Sequence, residues 1–586
     1  MVATLAHWVV VFTSLAGALG AAPPRKTRDR ESVRNVAIIG AGAAGASAAY
    51  HLSQYARDED LPINITIFEK TPRVGGRTLT VHVYDDPTSG ELPVELGASI
   101  FVAANRIMHD AALGFNLTLN NPMPSNKGDL TIIWDGENIV FETTAGGSSW
   151  WWDAARMWWR YGMSPYRAVS LVKTVVGTFL KLYDPPFFPF RSLTQRAYEL
   201  GLERVTGVTG EQFLADAKVN EDFCRHVLQP ATRVNYGSNL AHIHGLETMV
   251  SFATDGAVAV RGGNWQIFDK MIAASGATFY RNATVESINF KPEGPNSVAR
   301  ALKKYAISVM DNQAVRTAFD DIIIATPWQY SNISTGRGII THKIDKIPYK
   351  ELHVVLFTSP YRLRTDMFGL PRGGTPPSNI YTTLKAGTAA DPDNVVGDAG
   401  FFSLSTLRTV VNPATQQTEY LYKLFAPKEV APVFLDSFLD SDWKDKQHEM
   451  PEGQEQQIMD GSSGDGAEPN KVTWYHMQMF HPYPVEFPRV TFQDPIVGNG
   501  IYYTSGIESF ISTMETSALM GKNVARLLAD DVAGNAGSGG AYVSPYRGMP
   551  TTSRQQHEQQ QQQQQRGDFF QSMENDLDDL MMMDEL

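Results

Sequence analysis

Cysteine is nearly absent from the chain, since Cys224 is the one cysteine in 586 residues. A single thiol excludes an intrachain disulfide, a CxxC redox pair and a cysteine-rich metal site. No metal-ligand cluster has the spacing that its chemistry requires, so the sequence predicts no metal. No Ser-His-Asp set or acid pair has the spacing that its chemistry requires either. Basic residues are also few, 50 against 63 acids, and the net charge of −13 argues against a nucleic-acid partner.

The apolar run at the N-terminus, over 8–20, is too short for a transmembrane helix, which needs about 20 apolar residues. Small residues and Pro23-Pro24 follow this run. We therefore expect 1–22 to be a cleaved secretory signal peptide, although no Lys or Arg precedes the run. An uncleaved anchor is the alternative.

Four N-glycosylation sequons are consistent with a secretory route, and they lie at Asn64, Asn116, Asn282 and Asn332. We expect Asn64 to stay unmodified, because it falls in a predicted buried strand. The chain ends in Met583-Asp584-Glu585-Leu586, which resembles a retrieval signal of the HDEL type with an altered first position. The expected location is the lumen of the secretory pathway, with a vacuole or lysosome-like compartment, the endoplasmic reticulum and secretion all left open.

Two segments have too few apolar residues to build a core. The segment 440–470 is rich in Asp, Glu, Gln, Gly and Ser, and 533–586 contains a glutamine run over 559–565. Both are predicted to be disordered.

A nucleotide-binding motif begins near the start of the chain. Val36 to Ile39 predicts a buried strand, which is followed by a glycine loop over 40–45 and an alanine-rich helix over 46–55. In such a loop the glycines permit a tight turn, close approach of the backbone to a pyrophosphate and close packing of the helix. A second strand over 63–68 ends at an acid that can bind a ribose hydroxyl. The predicted dinucleotide contacts are Gly40, Gly42, Ala43, Ala44, Gly45 and Glu69.

Further motifs resemble the amine oxidase and phytoene desaturase superfamily of flavoproteins. They are RVGGR over 73–77, ELGAS over 95–99, and GIE over 506–508 with a helix that starts at Met514. The resemblance implies FAD rather than NAD. It implies cofactor contacts from Lys70, Gly76, Arg77, Gly97, Ala98, Ser99, Val285, Gly506, Glu508, Met514 and Glu515. The alternative is that Arg77, Glu508 and Glu515 are ordinary solvated side chains.

The flavin is expected to be noncovalent. A thioether to Cys224 is conceivable, but the segment 223–226 lies far in sequence from the C-terminal flavin helix. The N-terminus of the helix that starts at Met514, if it lies beside the flavin pyrimidine oxygen, would stabilise the negative charge that reduction places on that oxygen.

The motifs between these ends are more specific. They are ATRVNYG over 231–237, VRGGN over 260–264, a strand over 321–327, and the YYTSGIE and METSA segments that follow 501. With them the chain resembles the prenylcysteine oxidase family, also called prenylcysteine lyase, in collinear order over about 33–528. The resemblance implies FAD-dependent oxidation of S-prenyl cysteine by O2 and water to a prenal, cysteine and H2O2. The alternative for residues 262–264 is that they form only a turn and a helix cap and have no role specific to this family.

Such chemistry needs little from side chains beyond apolar positioning, a water molecule and recognition of the charges of the amino acid. We assign no catalytic side chain. The candidates for recognition are Arg233, which would bind a carboxylate, and Asn235, Tyr236 and His353. His353 opens an apolar run over 353–357, where a core histidine is the alternative.

Aromatic residues are concentrated between 104 and 241, including Trp150–Trp152, Trp158-Trp159 and 187–190. One interpretation is a buried helix face. The other is an apolar tunnel or a membrane-facing lip for a C15 or C20 isoprenoid, which implies a peripheral membrane contact.

The predicted fold class is α/β, with a Rossmann-like FAD-binding domain of the glutathione-reductase type and an interleaved mixed α+β substrate domain. The FAD-binding domain is assigned to 33–103, 245–335 and 495–530, and the substrate domain to 104–244 and 336–494. Two other functions stay open. One is a flavin amine oxidase, and the other is a non-enzymatic prenyl-binding carrier similar to the Rab GDP dissociation inhibitors. Oligomeric state and prenyl-chain preference are not predicted.

Overall fold

A computed structural model describes residues 33–121, 126–145, 157–291, 304–310, 317–440 and 471–534. The predicted signal peptide and Trp150–Trp152 lie outside the described residues. So do 441–470 of the predicted disordered insert and 535–586 of the predicted tail.

The first layer is a six-stranded sheet, called here the nucleotide sheet. Five of its strands pair in parallel and the sixth is antiparallel at one edge. The strand order is Ile496–Gly498 (the antiparallel edge), Ile501–Tyr503, Asp321–Ile324, Arg34–Ile39, Ile63–Phe68 and Thr278–Tyr280. Val36, Ala37 and Ile38 are fully buried in the central strand, which explains its apolar sequence, since parallel sheets are covered on both faces. The strands predicted near 36–39, 63–68 and 501–503 are confirmed.

Asn64 corrects one expectation. It lies in the strand Ile63–Phe68, but its side chain is exposed. The neighbouring strand pairs only from Thr66 onward, so the beginning of this strand is open to solvent. Burial therefore gives no reason for this sequon to stay unmodified.

Two long helices pack against each other beside the nucleotide sheet. They are Ala43–Asp58, predicted as 46–55, and Met514–Ala533, predicted as 514–528. A Cβ at Gly521 would lie 2.2 Å from the carbonyl oxygen of Ala44, so the two backbones are almost in contact. Two shorter helices, Trp265–Ser275 and Arg106–Gly114, pack around this pair.

The second layer is a seven-stranded mixed sheet, called here the second sheet. Its strand order is Trp474–Phe480, Leu352–Ser359, Thr418–Ala426, Ser403–Val411, Pro377–Thr382, Leu130–Trp134 and Ile139–Thr144. All neighbours are antiparallel except Pro377–Thr382 and Leu130–Trp134. The strand Leu352–Ser359, second from one edge, is buried along its whole length, as its apolar sequence predicts.

Smaller elements complete the described fold. The strand Val285–Phe290 lies in a separate three-stranded sheet with Tyr305–Val309 and Ser334–Thr335. Two-stranded pairs join Thr80–Val81 to Val94–Glu95 and Leu119–Asn120 to Ala259–Val260. Further α-helices are Ser164–Phe179, Leu193–Glu199, Glu203–Thr206, Gly210–Asp216, Glu221–Phe223, Gln229–Tyr236, Gly245–Phe252 and Pro432–Asp436, and residues 157–161 are also helical. The architecture confirms an α/β Rossmann-like fold with an interleaved α+β region.

The tryptophans at 158 and 159 do not form a buried helix face. Trp158 is 61% exposed and Trp159 is 86% exposed, whereas Tyr161 is buried. The interpretation as a core face is therefore wrong for these two residues. Across the described ranges, none of the helices combines the length and apolar character needed to cross a bilayer.

Candidate functional site

A cavity of about 810 Å³ extends from the nucleotide sheet to the second sheet. One end is formed by loops that follow the parallel strands, where ligands of open α/β sheets bind. The other end is formed by side chains of the second sheet, among them Leu352, Val354, Phe425 and Phe480. The cavity therefore joins a polar loop region to a wall in which apolar side chains lie among a few polar ones, such as Ser403, Ser405 and Gln478.

The glycine loop forms the polar end, and each glycine meets a different constraint. Gly40 has a φ of +106°, and a Cβ there would lie 2.6 Å from the carbonyl oxygen of Ala325. A Cβ at Gly45 would lie 2.0 Å from the carbonyl oxygen of Gly40, so this position is closed by backbone. At Gly42 a Cβ would meet only ordinary contacts, the nearest being Gly76 Cα at 3.8 Å, and this residue lines the cavity. Only the space at Gly42 is therefore open for a ligand.

Glu69 lies at the end of the second parallel strand, as predicted, and its side chain is almost fully buried. Its Oε2 accepts a hydrogen bond from the backbone N–H of Ala41 at 2.9 Å. Its Oε1 accepts from the backbone N–H and the hydroxyl of Thr71. These bonds fix the carboxylate at the edge of the cavity beside the glycine loop.

Arg77 and Glu508 form an ion pair across the cavity wall. Nη1 of Arg77 donates to Oε2 of Glu508 at 2.7 Å, and the hydroxyl of Tyr349 donates to the same oxygen at 2.9 Å. Burial lowers the pKa of Arg77, but the charge and hydrogen bond of Glu508 outweigh it and hold the pKa above its usual value. Burial and the charge of Glu508 raise the pKa of Tyr349. Arg77 and Glu508 are therefore not ordinary solvated side chains.

The N-terminus of Met514–Ala533 forms another part of the wall, with Met514 and Glu515 lining the cavity. Backbone N–H groups in the first turn of a helix have no partner within it and favour negative charge. The Glu515 side chain accepts from the backbone N–H groups of Ile107 and Met108, each at 2.9 Å. Burial raises the pKa of Glu515 to about 7. This carboxylate therefore caps a second helix, Arg106–Gly114, inside the protein.

Most of the predicted cofactor contacts line one cavity. Those that do are Gly40, Gly42, Ala43, Ala44, Glu69, Lys70, Gly76, Arg77, Gly97, Ala98, Ser99, Val285, Glu508, Met514 and Glu515. Gly45 and Gly506 are not in the lining. A Cβ at Gly506 would lie 2.7 Å from the carbonyl oxygen of Gln493, so both glycines permit close backbone packing. The open position at Gly42, the side chain of Glu69 and the N-termini of the helices Ala43–Asp58 and Met514–Ala533 together fit an extended dinucleotide.

Arg233 lies outside the cavity lining, although it was the candidate for binding a carboxylate. It is 1% exposed, and its donors reach the side-chain oxygens of Asn239 and Thr382 and the carbonyl oxygen of Val395. Burial lowers the pKa of Arg233 to about 9. In this position Arg233 holds the helix Gln229–Tyr236 against the second sheet.

The other recognition candidates divide into two groups. Asn235 and Tyr236 line the cavity, and Asn235 Nδ2 donates to the carbonyl oxygen of Ser251 at 3.0 Å. His353 is buried in its strand outside the lining, and its Nε2 lies 3.0 Å from Glu351 Oε1. The histidine is therefore placed as a core residue.

Two polar residues near the cavity, Lys423 and Asn264, were not assigned a role from the sequence, although Asn264 lies in the motif over 260–264. Lys423 lines it, and Nζ donates to the carbonyl oxygen of Glu95 at 2.6 Å. Asn264 is fully buried at the start of Trp265–Ser275, where its backbone N–H donates to Glu95 Oε1 and its Oδ1 accepts from Val260. Asn264 thus does more than end a turn. The available signal for Lys423 was a single charge inside the apolar stretch YLYKLFA.

Cys224 and metal binding complete the account of the site. Cys224 is partly buried in a short π-helical segment, Cys224–Leu228, and is absent from the cavity lining. Burial raises the pKa of its thiol to about 12. No group of three or more His, Cys, Asp or Glu side chains within the described ranges is arranged to hold a metal ion.

The fold and the cavity define a dinucleotide-binding oxidoreductase. The chain matches the NAD(P)-binding Rossmann-like domain over residues 38–111 and the prenylcysteine lyase family over residues 145–538. It belongs to the prenylcysteine lyase family.

Named relatives cover most of the chain. It is 27% identical over 515 residues to the farnesylcysteine lyase of Arabidopsis thaliana, covering 85% of this chain and 88% of that protein. It is 26% identical over 504 residues to prenylcysteine oxidase 1 of Homo sapiens, covering 84% and 88%. Among solved structures, cyclohexylamine oxidase from Brevibacterium oxydans is similar with a TM-score of 0.48 and 14% identity, covering 86% of this chain and 100% of that chain.

Proposed function

We propose that the protein is a flavin-dependent oxidase that cleaves the thioether of S-prenyl cysteine with O2 and water, releasing a prenal, cysteine and H2O2. The observation that carries this proposal is the single cavity that connects the glycine loop to an apolar wall. Membership of the prenylcysteine lyase family supports it. The names of the relatives, which specify farnesylcysteine and prenylcysteine, support the substrate class.

The proposed cofactor is noncovalent FAD. The glycine loop, Glu69 and Arg77 would hold its dinucleotide part, and the helix N-terminus at Met514 would hold its isoalloxazine end. When bound, FAD supplies the acceptor for hydride from the C1 methylene next to the sulfur and passes the electrons to O2. The position of Cys224 outside the cavity lining supports noncovalent binding.

The contribution of the protein to the reaction is positioning and shielding from water. The apolar wall would bury the prenyl chain, at about 0.8 kcal/mol for each buried CH2 group. Helix Ser164–Phe179 adds Val176 and Phe179 to this wall. Holding the methylene beside the cofactor makes the transfer effectively intramolecular, which lowers its entropic cost.

We also propose that the protein works in the lumen of the secretory pathway and touches a membrane surface. Asn116, Asn282 and Asn332 are exposed and lie outside the helices and strands, with φ of +54°, +52° and +54°, which supports glycosylation. The exposed rings of Trp158 and Trp159 support a peripheral membrane contact, because aromatic rings favour the bilayer interface. Peptide mapping after endoglycosidase treatment would test the glycans, and a secreted or luminal pool free of glycans at all three sites would contradict that part.

The function is tested with purified protein, by its visible spectrum and by H2O2 release. We expect a flavin band and one H2O2 per prenal from farnesylcysteine, with no release from its saturated analogue, because hydride loss leaves a cation that the allyl system must share. Amines are the control substrates. Turnover of amines but not of the thioether would establish an amine oxidase, and a protein that binds prenyl cysteine without flavin would establish a carrier.

A further inference from the structure

Lys423 is the feature of the cavity that the proposed chemistry does not explain. It lies on the strand Thr418–Ala426 of the second sheet, on the side that faces the cavity. Its register partners across the sheet are Leu356 on one side and Ser405 on the other. The next residues on that face, Val354, Phe425 and Ser403, line the cavity together with Ser405. Lys423 therefore places a charge among apolar and neutral polar side chains.

The ammonium group of Lys423 has neutral partners. Nζ donates to the carbonyl oxygen of Glu95 at 2.6 Å and lies 3.4 Å from Ser99 Oγ. It also lies 5.0 Å from the centre of the Phe425 ring. In the described part of the chain Nζ forms no ion pair with a carboxylate. Burial lowers the pKa of Lys423 to about 8, against the charge of Glu95.

A buried ammonium whose hydrogen-bond partners are all neutral is costly, and a bound anion would relieve that cost. The other arginines and lysines that line the cavity are at its dinucleotide end. Lys70 and Arg73 are exposed there, and Arg77 is paired with Glu508. Since Arg233 lies outside the lining, Lys423 is the cation that faces the apolar end.

We propose that Lys423 binds the α-carboxylate of the S-prenyl cysteine substrate and thereby sets the position of the amino-acid end. This inference rests on the proposed function for the identity of the ligand. The carboxylate carbon is four covalent bonds from the C1 methylene, so a carboxylate on Nζ keeps the reacting carbon near Ser99, a predicted flavin contact. The prenyl chain then extends along the row that contains Val354 and Phe425.

Binding can be measured without turnover by using two saturated ligands. S-hexahydrofarnesyl-L-cysteine carries the carboxylate, and S-hexahydrofarnesylcysteamine lacks it but keeps the chain, sulfur and ammonium. Calorimetric titration of the flavin-loaded protein should show tighter binding of the first ligand. In Lys423→Met this ligand should bind about 10- to 100-fold more weakly, the range for losing a charge-assisted hydrogen bond, while the cysteamine is unaffected.

Two further variants test whether the effect depends on the charge of Lys423 and on its position. Lys423→Arg keeps the charge and should retain most of the preference for the carboxylate ligand. Lys428→Met removes an exposed lysine five residues along the chain and should bind both ligands as the wild type does. Flavin content and the melting temperature of each variant show whether it is folded. If Lys423→Met fails to fold, the same comparison is made with Lys423→Gln.

The outcomes separate this inference from the proposed function. Equal weakening of both ligands, or unchanged binding of both, overturns the assignment of Lys423 as a carboxylate site. A slower reaction of reduced flavin with O2 and unchanged ligand preference also overturns it, because Lys423 would then serve oxygen. If the wild type prefers the carboxylate ligand through Lys423 but does not oxidise farnesylcysteine, the proposed function fails while the carboxylate site stands.

Discussion

Replacing Gly42 or Gly45 by alanine should produce two different defects from the same added methyl group. At Gly45 the Cβ would lie 2.0 Å from the carbonyl oxygen of Gly40, so the backbone must shift. At Gly42 the nearest atom would be 3.8 Å away, and the methyl group would point into the cavity. Gly45→Ala therefore strains the protein, whereas Gly42→Ala intrudes on the cofactor.

The magnitudes follow from the cost of overpacking, about 1–3 kcal/mol. For Gly45→Ala this cost falls on the protein itself, with or without cofactor. For Gly42→Ala the same cost falls on cofactor binding, which corresponds to an affinity about 5- to 160-fold weaker, since about 1.4 kcal/mol is tenfold. At cofactor concentrations well above Kd, the stabilisation gained from binding should fall by about 1–3 kcal/mol.

The assay is thermal unfolding of each variant with and without added FAD, together with the flavin content after purification. Gly42→Ala should melt with the wild type when cofactor is removed and should gain less when FAD is added. Gly45→Ala should melt at a lower temperature in both conditions. Gly177→Ala, in helix Ser164–Phe179, is the control, because a Cβ there meets nothing within 4 Å. Full flavin affinity in Gly42→Ala, or wild-type melting of Gly45→Ala, would refute the argument.

Three further predictions concern buried charge. Arg77→Met should lower both the free energy of unfolding and the flavin content. The loss of stability should be less than the about 3–5 kcal/mol of a fully buried pair, because Arg77 is 34% exposed. Adding Glu508→Gln should restore part of the stability, as measured by urea unfolding. Burial raises the pKa of Glu515 to about 7, above the usual value of about 4.3, so the folded protein holds a proton there and loses stability as pH rises from about 4.3 to 7. Glu515→Gln should lessen this decline, and an unchanged slope would contradict the buried assignment. Arg233→Met should cost about 2 kcal/mol or more through unpaired acceptors, with KM for farnesylcysteine unchanged in the folded fraction; a raised KM at normal stability would return Arg233 to the binding site.

The parts of the fold that the sequence predicts well are those encoded over short distances. The strand Ile63–Phe68 and the helix beginning at Met514 appear where the apolar pattern and the motif predict them. The glycine loop is local in part, because a Cβ at Gly45 would meet the carbonyl oxygen of Gly40, whereas a Cβ at Gly40 would meet Ala325 of a distant strand. The spacing of the glycines could still be recognised in the sequence without knowledge of that distant packing.

The errors come from packing at long range. The motif ATRVNYG places Arg233, Asn235 and Tyr236 together in sequence, but a helix turns about 100° per residue, so the side chains point in different directions. Contacts with Thr382 and Val395, about 150 residues away, decide that Arg233 faces the second sheet. Lys423 was missed for the same reason, since only the pairing of its strand shows which face contains the cavity.

The residues that form the cavity are far apart in sequence, and this affects when the site can form during synthesis on the ribosome. The glycine loop ends at residue 45, yet the ion-pair partner of Arg77 is residue 508 and the helix that packs on Ala44 begins at residue 514. At about 5–20 residues per second, the ribosome needs roughly 20–90 s to pass from one to the other. During that time the nascent chain contains the glycine loop but lacks Glu508 and the helix that begins at Met514. Tight cofactor capture therefore waits until the helix Met514–Ala533, the last helix in the described ranges, has been synthesised.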